Sequence, residues 1–215
     1  RVIAIGGTIH HLFAGFGGGR KSILPGIAGA ETIRQNHSRA LDPVYPRTAH
    51  TVGCGKLDGN PVHLDMMEAC RLVAPAFAIN IVMSPNGEHV ALPSGDIEKS
   101  WLRSTQLVEA CNGVPIERKA DVVIVSCGGF PNDIDLYQAS KTWINAYQAI
   151  RENGTMIFLS RCEEGGGPEA FFSWSASKIA GTLDRDLRAN FTIAGYIFYV
   201  CCEIASHTRT LMISE

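Results

Sequence analysis

Residues 121–126, Asp-Val-Val-Ile-Val-Ser, form an unbroken β-branched stretch, which is typical of a central strand in a parallel sheet. A glycine-rich loop follows at 127–133, and the pattern then predicts a helix at 134–151 and a buried strand at 155–160. This alternation of strand, loop and helix predicts an α/β fold with mostly parallel sheets. Ligands of such sheets bind at the carboxyl ends of strands, so the glycine-rich loop is a candidate site.

The same alternation extends in both directions along the chain. Strands are predicted at 2–5, 77–84, 90–93 and 210–213, and helical segments at 30–36, 61–73, 96–111 and 171–187. The break at Asn112-Gly-Val-Pro115 places a domain boundary near residues 112–119. We therefore expect two α/β domains, residues 1–115 and 116–215, with the active site in the cleft between them.

Composition narrows the class of protein. A chain of 215 residues with 46% hydrophobic and 19% charged residues can bury a full core. The net charge is −2 and basic residues form no block, so we expect neither nucleic acid nor a membrane as partner. The seven cysteines are odd in number and lack a CxxC pair, which favours reduced thiols and a cytoplasmic protein. Both ends are strand-like and the first residue is Arg1, so we expect a fragment of a longer protein.

The segment 10–37 combines histidines, a glycine run and one lysine: HHLFAGFGGGRKSILPGIAGAETIRQNH. Ordering so many glycines costs backbone entropy, so we interpret this segment as the lining of a cofactor site. Arg20 occupies the position that a P-loop or a G-x-G-x-x-G motif gives to glycine, which leaves only a generic anion cradle. Lys21 precedes an apolar stretch, and desolvation there would lower its pKa and make it a nucleophile or anchor; the alternative is a solvated surface charge.

Three histidines flank this glycine loop. His10, His11 and His37 together favour acid/base or metal chemistry over purely structural roles. The remaining histidines are isolated in the sequence, and we expect them to be structural: His50, His63, His89 and His207.

A second candidate site begins at Cys127. If a helix starts near Asp133, then Tyr137, Gln138 and Lys141 share one face, and their phenol, amide and ammonium suit a small carboxylate that bears a hydroxyl. The alternative is an ordinary solvated helix face. Cys127 itself, at a strand end, could be the nucleophile of a hydrolase or transferase, although no histidine lies near it in sequence.

These segments together resemble the lactate racemase family that uses the nickel-pincer nucleotide. The resemblance rests on the stretch from His11 through Lys21 and Leu24-Pro-Gly-Ile-Ala-Gly29 to Asn36-His37. It also includes Gly59-Asn-Pro-Val-His63 and the segment 128–141.

The resemblance implies a role for each candidate residue. Lys21 matches the lysine that can tether the pyridinium-derived cofactor through a thioamide, and His37 matches the histidine that ligates nickel. His11 matches one of two histidines that exchange the substrate hydroxyl proton. Three residues match those that hold the substrate: Tyr137, Gln138 and Lys141.

The resemblance also implies a reaction and its partners. The activity would be that of a racemase or epimerase of a small, lactate-like 2-hydroxy acid, working by hydride transfer to and from the nickel-pincer nucleotide (pyridinium-3-thioamide-5-thiocarboxylic acid mononucleotide nickel). Cofactor-synthesis proteins would load it. Residues 1–115 would be the C-terminal part of the cofactor-binding domain, and 116–215 a truncated C-terminal domain. Because the family's second acid/base histidine lies upstream, we expect these residues alone to be inactive. A non-catalytic module that binds nickel or the nucleotide is the alternative.

Overall fold

A computed structural model describes residues 1–214 and has the predicted α/β fold. The chain divides into two compact units, Arg1–Pro115 and Ile116–Glu215. An active site between the two units stays a prediction. Across the described residues, no helix has both the length and the apolar character needed to cross a bilayer.

The first unit is built around a mixed sheet. Its strands are β1 (Ile3–Gly7), β2 (His10–His11), β3 (Gly15–Phe16), β4 (Phe77–Met83), β5 (His89–Ala91) and β6 (Ser94–Gly95). Its helices are α1 (Ala30–Ser38), α2 (Pro61–Val73) and α3 (Ile97–Asn112), and a 3₁₀ turn spans Gly19–Ser22. Strand β4 pairs parallel with β1 and antiparallel with β5 and β6, while β2 and β3 form a separate hairpin.

Local signals explain where two helices of this unit begin. The Asn60 side chain accepts hydrogen bonds from the backbone N–H groups of Val62 and His63, and Pro61 occupies the first helical position of α2. The Asp96 side chain accepts from the backbone N–H of Lys99 and caps α3 in the same way. Helix α3 packs on β4, whose side chains alternate between buried and half-exposed along the strand.

The second unit carries a fully parallel sheet in the order β7-β8-β9. The strands are β7 (Ala120–Ser126), β8 (Ile150–Leu159) and β9 (Arg209–Ile213). The helices are α4 (Leu136–Ala146), α5 (Glu169–Phe172), α6 (Ser175–Ile179), α7 (Leu183–Ala189) and α8 (Ile193–His207). Helix α4 joins β7 to β8, and α8 packs against α4, which is the arrangement that parallel strands require of their crossover connections.

Two predicted helices of the second unit differ from the structure. The helix predicted at 134–151 ends at Ala146, and β8 begins already at Ile150 because that side chain is buried in the core. The helical segment predicted at 171–187 is divided among α5, α6 and α7. Short apolar segments of this kind carry too little periodicity to locate such breaks.

Helix α8 has no counterpart among the predicted elements. Its sequence, IAGYIFYVCCEIASH, is rich in β-branched and aromatic residues and contains a glycine, all of which lower helix propensity. Burial of several large side chains overrides that preference, among them Tyr196, Ile197 and Ile204. Gly195 is required by the packing, because a Cβ there would overlap the Trp174 indole, whose Nε1 would lie 2.7 Å away.

Candidate functional site

The β2–β3 hairpin separates the two adjacent histidines. His10 pairs across the hairpin with Phe16, and His11 with Gly15. Successive strand residues point to opposite faces, so the two rings have different partners. The His10 Nε2 lies 2.9 Å from Glu109 Oε2, while the His11 Nε2 lies 2.5 Å from Lys21 Nζ. Of the two, only His11 contacts the lysine of the glycine loop.

The hydrogen bonds of His11 indicate its tautomer and the form of Lys21 that can accept a hydrogen bond from it. Its Nδ1 accepts the backbone N–H groups of Phe13 and Ala14, both at 3.2 Å, so a neutral ring carries its proton on Nε2. That Nε2–H donates toward Lys21 Nζ, and an ammonium group has no lone pair with which to accept it. Lys21 can accept this hydrogen bond only in its neutral form, which a pKa of about 8 makes the minor form at pH 7 and about half of the amine at pH 8.

Electrostatics favour the same state of Lys21. Burial lowers the pKa of Lys21 to about 8, and the charge of Arg20 acts in the same direction. Near pH 8 a large share of the amine is therefore unprotonated, which is the nucleophilic form. The sequence-based expectation of a partly desolvated Lys21 agrees with this environment.

His37, near the end of α1, is prepared to act as a ligand. Its Nδ1 donates a hydrogen bond to the backbone oxygen of Ile33 at 2.9 Å, which leaves the Nε2 lone pair free. The residue is 4% exposed, and burial, followed by the charge of Lys21, lowers its pKa. A neutral imidazole with a fixed tautomer is the form that binds a transition metal, so His37 fits a nickel ligand. Within residues 1–214 no three His, Cys, Asp or Glu side chains gather into a metal site.

Aromatic packing links these groups. The Phe13 ring meets His37 edge-on at 5.1 Å between centroids, and the same ring lies 6.0 Å from that of His11. Lys21 influences the pKa of His37 and contacts His11 directly. Phe13 thus packs against the rings of both His11 and His37, and Lys21 contacts His11.

Side chains distant in sequence hold the backbone of the glycine loop. Asn60 Nδ2 donates to the Phe13 oxygen at 2.8 Å, and Trp101 Nε1 donates to the Gly17 oxygen at 2.8 Å. Arg20 donates to the oxygens of Ala14 and Phe16. Sequence reasoning missed these supporting residues. The signals that could have found them are the Asn60-Pro61 helix start and an arginine placed inside a glycine run.

Gly19 shows why the loop needs glycine. Its φ is +51°, and a Cβ at this position would overlap the Trp101 side chain. A Gly19→Ala variant should therefore lose about 2–4 kcal/mol of unfolding free energy, from backbone strain and overpacking combined. Urea denaturation measures the loss. Gly87→Ala is the matched control, because Gly87 has φ +79° but open space around its Cβ position. Equal losses in the two variants would contradict the packing argument.

The second candidate site lies on α4. Asp135 caps this helix by accepting the backbone N–H of Gln138 at 2.6 Å. Lys141 Nζ donates to Gln138 Oε1 at 2.6 Å and lies 5.6 Å from the centroid of the Tyr137 ring. Burial, followed by the charge of Asp135, raises the pKa of Tyr137, so its hydroxyl stays protonated at neutral pH. The three side chains lie together, as their spacing predicts.

Cys127 does not suit the nucleophilic role considered for it. The residue is 7% exposed and packs with Ala139 and Phe158 in a core cluster. Its Sγ faces the Ala139 backbone oxygen at 4.0 Å. A nucleophilic thiol needs access to substrate, and this one is enclosed by apolar side chains. All seven cysteines fall within the described residues, and each is a free thiol.

Sequence profiles match both parts of the chain. The profile of the lactate racemase N-terminal domain matches residues 1–48, and that of the lactate racemase C-terminal domain matches residues 116–191. The chain is 37% identical over 174 residues to the lactate racemase of Thermoanaerobacterium thermosaccharolyticum, and 37% identical over 162 residues to that of Lactiplantibacillus plantarum. The alignments cover 80% and 75% of this chain, but only 39% and 37% of those two relatives.

Solved structures show the same similarity. The lactate racemase apoprotein from T. thermosaccharolyticum superposes with a TM-score of 0.87 at 31% identity, covering 99% of this chain and 51% of that one. A crystal structure of a Thermotoga maritima protein superposes with a TM-score of 0.68 at 17% identity, covering 99% of this chain and 56% of its own. The second likeness concerns the fold alone.

Proposed function

This chain belongs to the lactate racemase family, and from that premise we propose that the protein interconverts the enantiomers of lactate or a related small 2-hydroxy acid. We propose a nickel-pincer nucleotide as its cofactor. The observation that carries the proposal is the grouping of three side chains: the Lys21 amine, whose pKa is lowered to about 8, the His11 imidazole and the buried His37. The proposed chemistry needs one amine to attach the cofactor, one imidazole to bind nickel and one imidazole to exchange a proton with the substrate.

Two residues would hold the cofactor. The Lys21 amine, which contacts His11, would be the point of attachment of the cofactor, through the thioamide that the family resemblance implies. His37 would offer its free Nε2 to nickel, while the bond from Nδ1 to the Ile33 oxygen keeps the ring oriented. When bound, the nickel-pincer nucleotide would supply a hydride acceptor, which avoids removing a very weakly acidic α-proton beside a carboxylate.

Other residues would bind the substrate and move its proton. His11 Nδ1 accepts two backbone N–H groups, so Nε2, the nitrogen that contacts Lys21, is the one that would exchange a proton with the substrate hydroxyl. On α4, the Lys141 ammonium would pair with the substrate carboxylate. Gln138 and Tyr137 would add hydrogen bonds, since the Gln138 amide nitrogen and the protonated Tyr137 hydroxyl are donors.

The test uses the whole protein to which residues 1–215 belong, produced together with the cofactor-synthesis proteins, because residues 1–215 alone are expected to be inactive. A single enantiomer of lactate, and then other chiral 2-hydroxy acids, are incubated with it, and chiral chromatography measures the loss of optical purity. We expect racemisation of at least one acid, and no effect of the thiol control Cys127→Ser. Nickel and nucleotide bound without any racemisation would overturn the catalytic proposal and leave a binding module.

A further inference from the structure

Arg20 is buried without an acidic partner. The residue is 1% exposed, and within residues 1–214 no carboxylate pairs with it. Its Nε donates to His63 Nδ1 at 3.1 Å, and its two terminal nitrogens donate to the oxygens of Phe16 at 2.9 Å and Ala14 at 2.6 Å. The guanidinium carbon lies 3.7 Å from the centroid of a Trp101 ring. Neutral acceptors and one aromatic face thus replace the anion that a buried cation normally requires.

The hydrogen bonds of Arg20 connect two parts of the candidate site, the β2–β3 hairpin and the backbone next to Lys21. Ala14 and Phe16 flank Gly15, the residue that pairs with His11 across the hairpin. Arg20 itself directly precedes Lys21 in the chain. One side chain therefore connects the strand opposite His11 to the backbone that carries the Lys21 amine.

We propose that Arg20 is a positioning residue. By bonding the backbone oxygens of Ala14 and Phe16, its guanidinium holds the hairpin strand opposite His11 near Lys21, so that the His11 imidazole contacts the Lys21 amine. This inference rests on the proposed function, because it concerns how the amine that would attach the cofactor is presented. His63 and Trp101 fix the orientation of this guanidinium. His63 Nδ1 accepts a hydrogen bond from its Nε, and the Trp101 ring packs against its planar face.

The charge of Arg20 acts together with its geometry. Burial lowers the pKa of Arg20 to about 9, so the guanidinium stays charged at neutral pH. That charge opposes protonation of Lys21, as a second cause after burial. A lysine at position 20 would keep the charge but not the planar fork that spans two carbonyls and an imidazole. Arg20→Lys therefore separates positioning from charge.

The test measures the reactivity of Lys21 in protein without cofactor. Acetylation by an N-hydroxysuccinimide ester is followed by peptide mass spectrometry as a function of pH, with Lys56 as the internal reference. In the unsubstituted protein we expect the rate of Lys21 acetylation to reach half of its maximum near pH 8; this pH is the midpoint. In Arg20→Met and Arg20→Lys we expect that midpoint to rise by at least about one pH unit, which leaves about fivefold less unprotonated amine at pH 8.

The controls make the outcome decisive. Arg34→Met removes an exposed arginine of α1 that bonds Glu31, and it should leave the Lys21 midpoint unchanged. If Arg20→Met fails to fold, His63→Phe keeps a ring beside Trp101 and removes one acceptor, and we expect a smaller shift in the same direction. Parent-like labelling in Arg20→Lys would show that charge alone suffices, and it would overturn positioning.

This experiment is independent of the proposed function. A midpoint that depends on Arg20 in protein that never takes up the nucleotide would sustain the positioning role and defeat the racemase proposal. If Arg20→Lys racemises the substrate at the rate of the unsubstituted protein and is labelled like it, the racemase proposal is supported and the positioning role of Arg20 is defeated.

Discussion

A Lys21→Met variant is expected to carry no covalently attached nucleotide and to lose at least about a hundredfold of its racemase activity. Methionine preserves much of the side-chain volume but lacks the amine that would form the thioamide. The intact mass of the protein after loading measures attachment directly. Lys56→Met is the matched control, because Lys56 is exposed and its Nζ donates to the His50 backbone oxygen. A Lys21→Met protein that still gains the cofactor mass would refute the tether.

The pH dependence of covalent nucleotide attachment is a second, independent test of the role of Lys21. Burial lowers the pKa of its ammonium to about 8. Below that pH the amine is protonated and unreactive, so attachment should increase as the pH rises through about 8 and then level off. An ordinary lysine would not level off until well above pH 10. Attachment that is flat between pH 6 and 9 would contradict the role assigned to the neutral amine.

A His37→Ala variant is expected to lose its bound nickel, with metal content at least about tenfold below that of the parent protein. The substitution removes the one imidazole of the cluster whose Nε2 is left free by a Nδ1 bond to backbone. Elemental analysis after desalting measures the loss. His89→Ala, which changes an exposed histidine of β5, should keep the parent nickel content. Stoichiometric nickel in His37→Ala would remove the residue from the metal site.

The protonation state of His37 sets the lower pH limit of nickel binding. Burial is the largest cause that lowers the pKa of this imidazole below the ordinary value of 6.5, and it acts also when Lys21 carries an uncharged thioamide. Protons therefore compete with the metal only at a pH below that of an exposed histidine. We expect the parent protein to retain nickel at pH 6, and release that follows an ordinary histidine titration would argue against a buried ligand.

Sequence reasoning succeeded where the deciding contacts are local. Helices α2 and α3 begin where predicted because Asn60 and Asp96 bond backbone N–H groups two or three residues ahead. Strand β7 is recognisable from its own composition, but the prediction of a central strand was wrong for the described residues, where β8 lies between β7 and β9. Helix α8 was missed for the opposite reason, because its residues favour helix only once they are buried against the rest of the second unit.

The sequence by itself determined the α/β class, the glycine loop and the reactive groups within it, because these depend on residue type and short spacing. Only the tertiary structure decided which of the adjacent histidines contacts Lys21, and that His63, Asn60 and Trp101 support the loop. Their partners lie 43 to 84 positions away in the chain. Burial of such distant groups against one another fixes tautomers and shifts pKa values, and no local pattern encodes that environment.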